Sequence, residues 1–142
     1  MANIVELREF PNEVLLDMLE DRREELFNLR FQKATGRLED YSRLAKVRQD
    51  IAQILTLVNA RNMAIDQALQ DKTVAGAVAG KEVDAVARFD YELSRYVVQF
   101  FEGDNEVAMA HVDITKKRRG TREARKRRKT IQRVTQVEVA GS

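Results

Sequence analysis

The fourteen residues Lys116–Lys129 (KKRRGTREARKRRK) hold ten cations: Lys116, Lys117, Arg118, Arg119, Arg122, Arg125, Lys126, Arg127, Arg128 and Lys129. Cations at this density repel one another, and a nucleic-acid backbone relieves that repulsion while shedding its own counterions. No aromatic residue is interleaved, so the chemistry on offer is phosphate contact rather than base stacking. A solvated tail, a patch for anionic lipid and a nuclear-localisation signal are the competing readings of such a run.

Other constellations carry less. Gly76-Ala-Val-Ala-Gly80-Lys81 resembles a phosphate loop, but it lacks the four-residue gap between glycines and the Ser/Thr after the lysine, and it reads as linker. Glu20, Asp21, Glu24 and Glu25 are interspersed with Arg22 and Arg23, which makes them a solvated helix face rather than a cation site. His111 is the single histidine and has no sequence partner; cysteine is absent, which removes disulfides, thiolate metal sites and a cysteine nucleophile. No Ser/His/Asp arrangement or carboxylate pair can be assembled with any specificity, so the expectation is a protein that is not an enzyme and uses no cofactor or metal.

The net charge of +2 hides a division along the chain. Residues 1–62 carry 10 basic and 11 acidic groups, residues 63–115 carry 4 and 10, and residues 116–142 carry 11 and 2. Such asymmetry points to a polyanionic partner for the basic end, and an acidic middle can also fold back on it. No apolar run approaches the length of a membrane span, and Met1 to Phe10 has neither signal-peptide nor transit-peptide character. A cytoplasmic protein with no membrane partner and no small-molecule substrate is expected.

The elements that must position these groups begin at Pro11. Proline suits a first helical turn, Asn12 can cap it, and Glu13 and Asp17 lie near the positive end of the dipole. Leu15, Met18, Leu19, Leu26 and Leu29 then recur mostly at helical spacings, with Phe27 and Phe31 forming a second line on an adjacent face. Thr35-Gly36 supplies the stop. Tyr41, Leu44, Val47 or Arg48, Ile51, Ile54, Leu55 and Val58 mark a second helix after a short connection, so the two are antiparallel neighbours. The predicted fold is all-α: a long hairpin of helices over about 12–35 and 39–68, then a third helix over about 82–101 and a basic tail. That third helix rests on Val83, Val86, Phe89, Leu93, Val97 and Phe100; a strand is the alternative, because Phe89, Tyr91 and Leu93 also alternate. Residues 70–82 read as a linker, Gly103-Asp104-Asn105 as a turn, and Val107 to Ile114 as a short strand or a continuation. The domains divide as 1–65, an acidic extension 66–115 and a basic extended tail 116–142. A hairpin of this size has little interior and needs something to lie against, which motivates a binding role.

Linked motifs across residues 4–62 carry a resemblance. Glu6-Leu7-Arg8 opens it; Glu25-Leu26-Phe27-Asn28-Leu29-Arg30-Phe31-Gln32 with Ala34-Thr35-Gly36 follows, then Arg43, Val47-Arg48 and Asp50-Ile51-Ala52. This segment resembles the bacterial L-twenty-nine family of large-subunit ribosomal proteins. The resemblance implies a helical hairpin lying on large-subunit ribosomal RNA at the polypeptide exit tunnel, beside the L-twenty-three family protein and near where signal recognition particle and trigger factor dock. Carried over by position, Arg30, Gln32, Arg43, Lys46, Arg48 and Thr56 would face the RNA, with Gly36 turning the chain. The arginines and Lys46 flank the turn, where they can present a shared cationic edge. Relatives commonly carry basic residues where Gln49 and Gln53 stand, so the basic arm would compensate. The implied function is a structural constituent of the bacterial large subunit, supporting translation. The alternative, from a different class, is a free coiled-coil nucleic-acid binder using the basic arm.

Overall fold

A computed structural model of the chain describes residues 3–115 and 132–141. They fall into two compact units, residues 1–59 and 60–142.

The first unit opens with a short helix, α1 (Ile4–Glu9), whose start is held by the Asn3 N–H donating to Glu6 Oε2 at 3.0 Å. Sequence reading had no element here, because six residues are too few to show a period; Leu7, fully buried, is what ties the helix down. Helix α2 (Asn12–Ala34) follows from Pro11, and α3 begins at Ser42 and runs to Leu69. Both lie within three residues of their expected ends. Leu7, Leu15 and Leu19 pack with Ile54, Leu57 and Val58, while Leu29 and Leu38 pack with Leu44 and Val47. The start of α2 thus meets the later part of α3, and the end of α2 meets its beginning, which makes the pair an antiparallel hairpin. Each fully buried leucine contributes about 1.5–3 kcal/mol.

The second unit overturns the all-α expectation. Four strands, β1 (Asp84–Asp90), β2 (Arg95–Glu102), β3 (Asn105–Val112) and β4 (Val134–Val139), form one antiparallel sheet in the order β1-β2-β3-β4. The helix expected over 82–101 is instead β1, a reversal and β2. Its apolar residues fit a three-to-four spacing because the reversal at Tyr91–Ser94 contains no glycine or proline to announce it. The turn is made by Asp90 Oδ1, which accepts from the N–H groups of Glu92 at 2.8 Å and Leu93 at 3.2 Å, and by Ser94 at a φ of 51°. The strand alternative is right in kind, but its alternation is not that of one strand: Phe89 lies on β1, while Tyr91 and Leu93 belong to the turn. The turn expected at Gly103-Asp104-Asn105 is made by Gly103, at a φ of 62°, and Asp104, and of the two readings of Val107 to Ile114 the strand holds, as β3 from Asn105 to Val112.

The end of the chain, expected as part of a tail, returns to the sheet: β4 pairs with β3 from Ala108↔Val139 to Val112↔Val134. Strands β3 and β4 are thus neighbours in the sheet although residues 113–133 separate them in sequence, and the Asp113 N–H donates to the Arg133 carbonyl at 2.9 Å. Within the segment read as linker lies α4 (Lys72–Val78), capped by Asp71 Oδ1 accepting from Thr73 N–H at 2.9 Å.

One face of the sheet is the core. Tyr96, Val98 and Phe100 of β2 and Ala108, Ala110 and Val112 of β3 pack with Ala87, Val134, Val74 of α4, and Ala64 and Ala68 from the last turns of α3. The small residues on both sides let helix and sheet approach closely. Arg61 is buried beside this cluster at 6 % exposure, and burial pushes its guanidinium pKa below the usual value, against the opposing influence of Tyr96.

Candidate nucleic-acid interface

The turn end of the hairpin is locked by backbone chemistry. Gly36, at a φ of 72°, gives its N–H to Lys33 O at 3.2 Å, and the next residue, Arg37, gives its N–H to Gln32 O at 2.9 Å. These two bonds satisfy the last carbonyls of α2 in the pattern that a left-handed residue permits. Thr35 Oγ1 adds bonds to Phe31 O at 3.1 Å and Gln32 O at 3.2 Å. On the far side of the turn Asp40 Oδ1 accepts from the Ser42 N–H at 2.8 Å. The Ser42 hydrogen bonds, with Lys46 and Arg43 nearby, hold the Asp40 carboxyl below the ordinary carboxylate range.

A Cβ at Gly36 would meet nothing within 4 Å, so the demand for glycine is purely conformational. Gly36→Val is expected to lower the stability of the chain by about 1–2 kcal/mol and Gly36→Asn by clearly less, since Asn tolerates the left-handed region. Urea unfolding checks this; equal losses for the two substitutions would contradict it.

Charge is segregated along the hairpin. Residues 26–48, around the turn, carry six cations (Arg30, Lys33, Arg37, Arg43, Lys46, Arg48) against two acids (Glu39, Asp40), whereas residues 1–25 carry three against eight. All six cations at the turn end are exposed. Lys33 Nζ lies 5.7 Å from the centre of the Tyr41 ring, joining the end of α2 to the segment before α3.

The residues expected to face RNA, Arg30, Gln32, Arg43, Lys46, Arg48 and Thr56, are likewise all exposed. They do not share one face. At about 100° per residue, and with the leucine contacts fixing the inner side, Arg30 and Arg48 fall on one flank of the hairpin. Gln32, Arg43 and Lys46 fall on the other, where Arg43 Nη2 reaches Glu25 at 3.5 Å. That Glu25 also pairs with Arg22 Nη1 at 2.6 Å, and Arg22 Nε lies 4.0 Å from Asp50, so this flank carries an interhelix ion network. Thr56 is directed away from the hairpin interior, and its hydroxyl donates to Ala52 O at 2.7 Å.

Lys116, Lys117, Arg118, Arg119, Arg122, Arg125, Lys126, Arg127, Arg128 and Lys129 lie outside the described residues. His111 sits on β3 opposite Val97 and Gln136, and its buried Nδ1 has no hydrogen-bond partner among the described residues. Among the described residues no group of three or more His, Cys, Asp or Glu is placed to hold a metal ion, and no helix is long and apolar enough to cross a membrane.

Sequence reading assigned no role to Phe27 and Phe31. They are the most exposed large apolar residues described, at 69 % and 64 %. The signal was present in helix phase: both lie roughly 120–160° around α2 from the leucine line.

Comparison with known proteins bears on residues 1–62 above all. The model of the family described as Ribosomal L29 protein matches residues 5–61. Over 61 residues the chain is 57 % identical to the large ribosomal subunit protein uL29 of Streptomyces coelicolor, a match covering 43 % of this chain and 82 % of that protein. The uL29 of Thermosipho africanus is 45 % identical over 60 residues, covering 42 % of this chain and 91 % of its own. That of Frankia alni is 48 % identical over 79 residues, covering 54 % and 84 %.

Proposed function

We propose, since the chain belongs to the ribosomal L29 protein family, that it is a structural, non-catalytic constituent of the bacterial large ribosomal subunit which grips large-subunit rRNA through the turn end of its hairpin. The observation that carries this reading is the exposed cluster of six cations on a rigidly closed turn, within the segment that matches the family. Phosphate is the group such a cluster recognises. The ten cations of residues 116–129 add a second phosphate-binding element. The place of work is the cytoplasmic ribosome at the tunnel exit, beside the L-twenty-three family protein and within reach of signal recognition particle and trigger factor.

Sedimentation of the full chain with large subunits tests the assignment. The protein should stay with the subunit through a moderate salt wash. Recovery as free protein, or with DNA, would overturn the reading in favour of a free nucleic-acid binder.

A further inference from the structure

We infer that Phe27 and Phe31 form a stacking platform for an unpaired base of the RNA held by the hairpin, with Arg23, Arg30 and Arg48 holding the phosphates around it; the inference rests on the rRNA-binding reading above. Two aromatic rings that are 69 % and 64 % exposed add little to the fold. They stand four residues apart on α2, about 6 Å along its axis, so both rings open to the same side. Their flank of the hairpin differs in ion pairing from the opposite one. Arg23 and Arg30 on α2 and Arg48 on α3 are exposed there, and among the described residues none of the three engages an acid. On the other flank Arg22 and Arg43 are held in the Glu25 and Asp50 network. Free arginines beside bare aromatic rings are the composition that takes a base on the ring and its phosphates on the guanidinium groups. An apolar protein neighbour would call for the rings but not for three arginines that pair with no acid, even with Glu20 and Glu24 on the same side of α2.

The chain contains no tryptophan, so Phe27→Trp and Phe31→Trp in the full chain each place a single indole at the platform. Titration with protein-free large-subunit rRNA should quench that indole. The double variant Phe27→Leu with Phe31→Leu, which keeps the apolar surface but not the ring, should bind the same rRNA about 100-fold more weakly, at roughly tenfold per ring. Its salt dependence should match the parent's slope, because no phosphate contact is removed. An indole that is not quenched, or a leucine variant within twofold of the parent, overturns the platform while rRNA binding by the parent stands. A leucine variant that binds naked rRNA normally but fails to join subunits assigns the face to a protein neighbour and also overturns it. Absence of rRNA binding by the parent chain would instead sink the functional reading itself.

Discussion

Replacing all ten cations of residues 116–129 by glutamine should flatten the salt dependence of rRNA binding by about four to five in the log–log slope, if six of them touch phosphate. Over the range from 50 to 200 mM salt, that many contacts correspond to roughly a thousandfold change in affinity. Neutralisation is the right variant rather than truncation. Removing residues 116–142 would also remove β4, and with it Val134 from the core of the sheet unit. Filter binding or anisotropy at several salt concentrations gives the slope; an unchanged value would show that the run makes no phosphate contact. The same substitution should leave the hairpin's own contribution intact, since Arg30 and Arg48 remain exposed at the turn end.

The second large effect is on stability. Phe100 is 1 % exposed and lies among Tyr96, Val98, Ala108 and Ala110 in the sheet core. Phe100→Ala should cost about 3–5 kcal/mol, against a total of roughly 5–15 kcal/mol for a typical domain. Urea unfolding followed by the far-ultraviolet sheet signal reads this directly. Phe27→Ala provides the internal contrast: the same residue type, 69 % exposed, should change the midpoint very little. A loss below about 1 kcal/mol at Phe100 would mean that the ring is not packed as described.

The hairpin could be read from sequence because its physics is local. Leucines at three and four, Pro11 at one end and Gly36 at the other state a helix, a stop and a return within one continuous stretch. The sheet could not, for three reasons visible in particular residues. Strand β2 has apolar residues on both faces, with Tyr96, Val98 and Phe100 buried and Val97 and Phe101 half-buried, so no clean alternation shows. The β1–β2 reversal uses an Asp90 side chain and a left-handed Ser94 in place of the usual glycine. Strand β4 is separated from its partner by residues 113–133, which include the ten cations of 116–129, so the end of the chain looks like an appendage. Of the interface, residue identity located the cations, but the division between an ion-paired flank and a free one depends on helix–helix contacts. Arg43 and Arg48, five residues apart, have different surroundings for that reason alone.

The run of charge from an acidic open end to a basic closed end gives the hairpin a permanent electric axis. Near a polyanion such an axis experiences a torque before any contact is made, so encounters are biased towards arrival with Gly36 leading. The acidic end is repelled at the same moment. Productive collisions are selected by long-range field, and the short-range contacts then need only complete an approach that is already aimed.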